Sequence, residues 1–255
     1  MASDAEGDYE FGAMFQEPEN YRPPTPEGKQ VTYTRNPCST QPDGPRTLTI
    51  SLLGTHPLWG HHLWNAAKSF ASYLDAHPDA VAGKTVLELG AAGALPSMVA
   101  AANRARLVAI TDYPDPDLVD NIRQTAEANF PGELGTRIHV YGHRWGDDAS
   151  ELRALTASAT FDVLILCDLV FNHSEHNGLL KSTRELLARN GRAFVFFTHH
   201  RPWLVDRDLE FLELARQQGM RVERLVEEYT GAMFEDDPGD ERVRGTVHGF
   251  CLTFC

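Results

Sequence analysis

The chain has 255 residues, of which 42% are hydrophobic and 23% are charged, so it can form the core of one large globular domain. Thirty-six acidic residues against 23 basic ones give a formal net charge of −13, and a surface of this sign repels the phosphate backbone of nucleic acids. Because no apolar run approaches the roughly 18 residues of a membrane helix and no signal-peptide pattern opens the chain, we expect neither a membrane protein nor a secreted one.

The cysteines indicate a reducing compartment. Cys38, Cys167, Cys251 and Cys255 have no Cys-x-x-Cys spacing and lie in or beside apolar segments. This distribution argues against a zinc site or a disulfide framework and is typical of the cytosol. We therefore expect a cytoplasmic protein and, by default, a monomer.

Residues 1–46 differ in composition from the rest of the chain. They contain seven of the 15 prolines and eight acidic residues against four basic ones, without a periodic apolar pattern. Such a stretch cannot bury enough apolar surface to offset the entropy lost on ordering. We predict a mostly flexible arm over 1–46, which could lie on the domain near Tyr21 and Tyr33, and a single domain over 47–255.

From residue 47 onward, short apolar runs alternate with helical patterns. Strands are predicted over 47–53, 85–89, 107–111, 137–141, 161–167, 191–198, 220–230 and 243–254, and helices over 63–77, 96–103, 115–130, 173–190 and 205–218. Strands buried on both faces and separated by helices predict an α/β fold with a mostly parallel, doubly wound sheet. The last two strands are joined without a crossover helix, so they are predicted to be antiparallel.

The ends of the central strands hold the candidate ligand site, because ligands of an open α/β sheet bind beyond the carboxyl ends of its strands. The strand 85–89 is followed by the small residues Gly90-Ala91-Ala92-Gly93, which let the backbone approach a ligand closely. Asp112, 22 residues beyond Gly90, ends the next strand, from which a carboxylate accepts hydrogen bonds from two ribose hydroxyls. Together these features predict an adenosine-containing ligand.

The glycine turn also limits which nucleoside can bind. Positions 90, 92 and 95 read Gly, Ala and Leu, so two of the three glycines of the dinucleotide fingerprint are absent. The turn also lacks the Lys-Ser/Thr pair of a phosphate-binding loop. A ligand without phosphates fits better, and S-adenosyl-L-methionine is the expected one. A plainer alternative stays open, namely a glycine-terminated strand followed by an acid that caps a helix.

Five segments now make the sequence recognisable: WGHHLWNAAKSFASYL, VLELGAAGALPS, ITDYPDPDLVDNI, YGHRWGD and FDVLILCDLVFNHSEH. In this order they resemble the seven-strand methyltransferases of the family 16 protein lysine methyltransferases, over about residues 47–255. The resemblance implies a Rossmann-like class I fold with a seven-stranded sheet that ends in an antiparallel hairpin. It also implies that S-adenosyl-L-methionine is the cofactor and S-adenosyl-L-homocysteine the product. The sequence most resembles family members that modify the N-terminal amine or a nearby lysine of translation elongation factor 1-alpha. This basic protein is therefore the expected partner.

The resemblance also implies roles for individual residues. The cofactor-binding set is expected to be Trp64, Gly90, Ala91, Ala92, Asp112, Trp145 and Cys167. Trp64 and the glycine turn would contact the methionine end, Asp112 the ribose and Trp145 the adenine, with Cys167 beside the adenosine. Asp168 begins the D-L-V-F stretch, which matches the family's Asp-x-x-aromatic substrate motif, and is the expected catalytic residue. The family's first motif commonly reads LELGAGTGLPG; Ala92 and Ala94 replace two of its glycines, which alanine tolerates unless a positive φ is needed.

Plainer interpretations of the same residues remain. Trp64 and Trp145 could be core or rim aromatics, and Cys167 could be a small buried hydrophobe. Asp168 could cap a helix. Six histidines, several of them paired on loops, have no Asp/Glu frame, so we assign no metal: His61, His62, His173, His176, His199 and His200.

Other functions compete with protein methylation. The chain could methylate a small molecule such as the pyridine nitrogen of nicotinamide. It could also be a cofactor-binding module without catalysis, for which the altered glycine turn is the hint. A nicotinamide-dinucleotide oxidoreductase is disfavoured by the missing fingerprint glycines.

Overall fold

The computed structural model describes residues 26–35 and 44–255. The strands are β1 (Lys29–Thr34), β2 (Thr47–Leu52), β3 (Thr85–Leu89), β4 (Leu107–Asp112), β5 (Ile138–Gly142), β6 (Phe161–Cys167), β7 (Leu187–Thr198), β8 (Met220–Tyr229) and β9 (Thr246–Phe254). The helices are α1 (Asn65–Ala76), α2 (Leu95–Ala102), α3 (Pro116–Asn129), α4 (Ser150–Arg153), α5 (His176–Leu186), α6 (Val205–Gln217) and α7 (Glu241–Arg244). Within these residues, no helix has the length and apolar character needed to cross a membrane.

Seven strands form the central sheet, in the order β5-β4-β3-β6-β7-β9-β8. The neighbours from β5 to β7 are parallel, whereas β9 runs antiparallel to both β7 and β8. The predicted α/β fold, with a mostly parallel seven-stranded sheet ending in an antiparallel hairpin, is confirmed. Because β4 lies on one side of β3 and β6 on the other, the strand order reverses at β3, and a crevice opens beyond its carboxyl end.

Helices cover both faces of the sheet because the inner strands are apolar on both sides. In β3 every residue of TVLEL is buried. Phe194 and Phe196 of β7 pack toward α1, α2 and α3, whereas Phe197 packs toward α5 and α6. This alternation is the period-two pattern of a strand, applied to a strand with two buried faces.

Three elements differ from the sequence-based prediction by three residues or more at a boundary. The helix expected over 173–190 is a 3-10 turn at His173–Glu175 followed by α5, and β7 already begins at Leu187. Leu187 pairs with Phe161 of β6 across an irregularity in the ladder, so sheet pairing outweighs helical propensity there. The short helix α7 replaces the start of the strand expected over 243–254, and the Asp240 side chain caps it by accepting from two backbone N–H groups.

The chain before residue 47 contributes a strand to the domain. β1 pairs antiparallel with β2 in a separate two-stranded sheet, so the predicted strand 47–53 does not join the central sheet. The Tyr33 hydroxyl lies 3.2 Å from that of Ser72 on α1. Lys29 to Arg35 of the predicted arm therefore lie on the domain. The flexibility of the rest stays a prediction, since 1–25, with Tyr21, and 36–43 lie outside the described residues.

Candidate active site

A cavity of about 520 Å³ lies beyond the carboxyl ends of β3, β4 and β6. All eight residues predicted for the site line it: Trp64, Gly90, Ala91, Ala92, Asp112, Trp145, Cys167 and Asp168. They come from five separate segments of the chain, so the doubly wound topology alone brings them together. This is the position at which open α/β sheets bind their ligands.

The turn after β3 forms the floor of the cavity. Gly90 has φ of +66°, and a Cβ built there would lie 2.7 Å from a Leu169 methyl carbon and 2.9 Å from the Trp145 ring. Glycine is thus required at position 90, both for its backbone conformation and for the close approach of these side chains.

Ala92 and Ala94 both adopt the left-handed conformation, with φ of +47° and +60°. Both positions at which the family motif commonly has glycine therefore need a positive φ, which strains an alanine. The left-handed region costs a residue with a Cβ roughly 1–2 kcal/mol. Backbone hydrogen bonds hold the turn despite this cost: the Ala94 N–H donates to the Ala91 carbonyl at 2.7 Å, and the Ala92 N–H donates to the side chain of Asp112.

Asp112 connects the turn to the end of β4. Its Oδ2 accepts from the Ala92 N–H at 2.7 Å, and its Oδ1 accepts from the Tyr113 N–H at 2.7 Å. Burial raises the pKa of Asp112, and these two backbone hydrogen bonds act in the opposite direction. Each carboxylate oxygen has a further lone pair, so the side chain can accept two more hydrogen bonds from a ligand.

Glu88 also lines the cavity, although it was not among the residues predicted from the sequence. Only 1% of this residue is exposed, and its Oε2 accepts from the Ser97 N–H at the start of α2. Burial raises the pKa of Glu88 to about 8, although the hydrogen bonds with Ser97 lower it. An acid inside the otherwise apolar run TVLEL, directly before the glycine turn, was the available signal.

Trp145 is held at the opposite wall by the segment after β5. Gly146 donates its N–H to the Ser182 hydroxyl of α5 at 2.8 Å. A Cβ on Gly178 would lie 2.9 Å from the Trp145 carbonyl oxygen, so a glycine in α5 lets this loop pack closely. Cys167, at the end of β6, is buried, and burial raises the pKa of its thiol. It therefore contributes packing rather than a reactive thiolate.

Asp168 follows β6 and adopts φ of +60°. Its Oδ1 accepts from the Thr198 N–H at 3.3 Å and lies 2.9 Å from Nε2 of His200. Its Oδ2 is buried and has no hydrogen-bond partner among the described residues. The carboxylate is thus turned toward the end of β7, and its known partners belong to that strand and the loop after it rather than to a helix N-terminus.

Aromatic rings surround this part of the cavity. Trp64, directly before α1, makes edge contacts with the rings of His200 and Phe234, at centroid distances of 5.0 and 6.1 Å. Phe171 lies edge-on to His200 at 6.1 Å. The wall beside Asp168 is therefore apolar and aromatic, a setting suited to a cation or a neutral amine.

The remaining histidines serve mainly as hydrogen-bonding groups. His173 and His199 each approach one oxygen of Asp208 on α6 at 2.7 Å, and His176 lies 2.7 Å from the Val170 carbonyl oxygen. Over the described ranges, no group of three or more His, Cys, Asp and Glu residues is arranged to hold a metal ion.

A family model and the most similar named proteins both indicate a lysine methyltransferase family. The sequence model of methyltransferase family 16, described as "Lysine methyltransferase", matches residues 46–218. A protein of Schizosaccharomyces pombe named "Protein N-terminal and lysine N-methyltransferase efm7" is 42% identical over 254 residues, which cover 98% of each chain. A protein of Eremothecium gossypii with the same descriptive name is 47% identical over 265 residues, covering 100% of both chains.

Solved structures share the fold at low sequence identity. A protein described as a methyltransferase complexed with SAH has a TM-score of 0.56 and 16% identity, with 80% of this chain and 53% of that chain covered. The precorrin-6y C5,15-methyltransferase of Geobacter metallireducens has a TM-score of 0.50 and 14% identity, with 74% of this chain and 86% of that chain covered. At this identity the likeness supports the fold alone.

Proposed function

Because the chain belongs to the family 16 lysine methyltransferases, we propose that it transfers a methyl group from S-adenosyl-L-methionine to the N-terminal amine, or to a nearby lysine, of translation elongation factor 1-alpha. The names of the two relatives support an N-terminal and lysine acceptor. The observation that carries the proposal is the cavity lined both by the predicted cofactor residues and by Asp168, whose buried Oδ2 has no hydrogen-bond partner among the described residues. The elongation factor itself rests on the motif resemblance.

The residues around the glycine turn fit the cofactor. The cradle at Gly90 has no room for a Cβ, and Asp112 retains lone pairs for the ribose hydroxyls. Trp145 offers a ring for the adenine, whereas Trp64 and Glu88 lie where the methionine end would be held. When bound, S-adenosyl-L-methionine supplies a methyl group on a sulfonium, which an amine can displace in line.

The acceptor amine must reach the methyl group uncharged. A lysine has a pKa of about 10.4 and an N-terminal amine one of about 7.7–8.0, so the terminus loses its proton more readily. Oδ2 of Asp168 can accept an N–H of the incoming ammonium and orient it. The rings of Phe171 and Trp64 desolvate the amine and thereby lower its pKa, so that its proton is given to bulk water before the amine is enclosed for transfer.

The charge of the protein supports a basic macromolecular acceptor. A formal net charge of −13 attracts a positively charged protein and accelerates its encounter with the enzyme. A small neutral acceptor would gain nothing from this field. Raising the ionic strength should therefore slow methylation of a basic protein and leave that of nicotinamide unchanged.

The test is a transfer assay with methyl-labelled S-adenosyl-L-methionine and three acceptors: recombinant elongation factor 1-alpha, the same protein with an acetylated N-terminus, and nicotinamide. We expect label in the elongation factor, located by mass spectrometry at the N-terminus or a nearby lysine, and loss of the terminal label after acetylation. Labelling of nicotinamide alone would contradict the proposal. Calorimetric binding of the cofactor with no transfer to any acceptor would instead indicate a non-catalytic module.

A further inference from the structure

Two adjacent histidines after β7 are not used by the proposed function, yet they point to opposite sides of their loop. Nδ1 of His199 lies 2.7 Å from Oδ2 of Asp208, whereas Nε2 of His200 lies 2.9 Å from Oδ1 of Asp168. His199 and Asp208 are buried, and Asp208 also binds His173. The loop is therefore fixed from behind by α6, and His200 faces the cavity wall.

This arrangement fixes the rotation of the Asp168 carboxylate. Two donors, the Thr198 N–H and the His200 ring, converge on Oδ1. Because an ionised carboxylate only accepts hydrogen bonds, Nε2 of His200 carries the hydrogen in this contact. With Oδ1 occupied, the buried Oδ2 is the oxygen that has no hydrogen-bond partner among the described residues. The edge contact of the His200 ring with Trp64 restricts the imidazole in turn.

We propose that His200 is a positioning residue, which holds Asp168 so that Oδ2 meets the acceptor amine and which sets the net charge that this amine encounters. The inference rests on the proposed function, in which Asp168 receives that amine. With a neutral His200, the pair has a charge of −1 and attracts an ammonium. With a protonated His200, the pair is neutral overall and the attraction is weaker.

The charged groups around His200 decide when this change occurs. They are Asp168 at the end of β6, Asp208 on α6 and the neighbouring Arg201. Burial lowers the pKa of His200, but the charge of Asp168, the hydrogen bond with it and the charge of Asp208 outweigh burial and Arg201, so the pKa lies above its usual value. The protonated His200, with which the pair attracts an ammonium less strongly, is therefore present at low pH. The rate of methyl transfer should increase as pH rises through the His200 pKa.

Two variants of His200 separate positioning from a merely structural role. His200→Gln retains an N–H donor at nearly the reach of Nε2 and cannot be protonated, whereas His200→Ala removes the donor. We expect His200→Ala to lower kcat by about tenfold, as the loss of one aligned hydrogen bond predicts, and His200→Gln to restore most of it. Cofactor dissociation constants from calorimetry should stay within about twofold. His139→Gln, the same replacement on the edge strand β5, is the matched control.

The pH dependence provides the second measurement. The ratio of kcat/KM for the wild type to that for His200→Gln should rise as pH increases through the raised pKa of His200, because only the wild type can titrate here. A constant ratio, an unchanged kcat in His200→Ala, or a His200→Gln as slow as His200→Ala would each overturn the proposal. If His200→Ala does not fold, the ratio for His200→Gln decides.

A third measurement needs no turnover. In NMR titrations, the His200 ring should lose its raised pKa when Asp168 is replaced by Asn, because the charged partner is gone. An equal His200 pKa in both proteins would overturn the pairing. If the wild type methylates no protein amine while this NMR shift is observed, the proposed function has failed and the pairing has not.

Discussion

The Arg35 guanidinium and the Asp75 carboxylate form a buried ion pair, with Nη2 and Oδ1 2.6 Å apart and side chains 4% and 0% exposed. The pair joins the segment after β1 to α1. Asn103, at the end of α2, accepts from Arg35 Nη2 at 2.7 Å and donates to Asp75 at 3.1 Å. A residue of the predicted arm thus completes a closed polar network inside the domain.

Arg35→Ala should therefore destabilise the whole domain. Removing one partner leaves the Asp75 charge buried without compensation, at a cost of about 3–5 kcal/mol. For a domain of this size we expect Tm to fall by roughly 6–20 °C in calorimetry. The control is Arg123→Ala, which breaks an exposed pair with Asp120 and should change stability by less than about 1 kcal/mol. Equal Tm values for Arg35→Ala and Arg123→Ala would contradict this prediction.

Structural elements could be predicted from the sequence where the residues that determine them are neighbours in the chain. The boundaries of β6 match the predicted 161–167, because the apolar run over 163–167 ends at the charge of Asp168. Contacts between residues far apart in the chain could not be predicted from the sequence. Arg35 and Asp75 are 40 positions apart, and Asp168 and His200 are 32 positions apart. Their pairing depends on which strands become neighbours. The site residues at strand ends, such as Gly90 and Asp112, were predicted because loops at strand ends converge in any doubly wound sheet. Trp64 and Trp145 were expected only from the family resemblance.

Asp112→Asn should weaken cofactor binding more than it affects turnover. The amide retains the shape but loses the negative charge that accepts both the Ala92 N–H and a ribose hydroxyl. We expect the dissociation constant of S-adenosyl-L-methionine to rise by about tenfold or more, which equals about 1.4 kcal/mol. Calorimetry measures it directly, with the exposed Asp120→Asn as control. Unchanged affinity would remove Asp112 from the cofactor site.

Asp168→Asn should have the converse effect. Loss of the charge weakens the interaction with an incoming ammonium, so kcat should fall by about tenfold or more. The cofactor dissociation constant should stay within about twofold. Steady-state kinetics on the protein acceptor and calorimetry on the cofactor test the two parts separately. Asp206→Asn, an exposed carboxylate on α6, is the control; a normal kcat in Asp168→Asn would exclude the assigned role.

Ala92→Gly should stabilise the protein although it adds backbone freedom. At φ of +47°, glycine relieves roughly 1–2 kcal/mol of left-handed strain and costs about 0.4–1 kcal/mol through the unfolded chain, so we expect a gain of up to about 1.6 kcal/mol. Ala128→Gly, at an exposed position of α3, should instead lose about 1 kcal/mol. Denaturant unfolding compares them, and losses in both variants would show that the turn is unstrained.

Cofactor binding should release a proton from Glu88. Burial raises its pKa to about 8, so near neutral pH the empty site holds mostly the protonated carboxyl. The methionine end of S-adenosyl-L-methionine carries a sulfonium and an ammonium besides its carboxylate, so its net charge is positive, and a nearby cation favours the ionised form. Affinity should therefore increase as pH rises toward about 8 and level off above it. Calorimetry in two buffers of different ionisation enthalpy counts the released protons. Glu88→Gln should abolish the release and flatten the pH dependence; identical release in both proteins would assign the proton to another group.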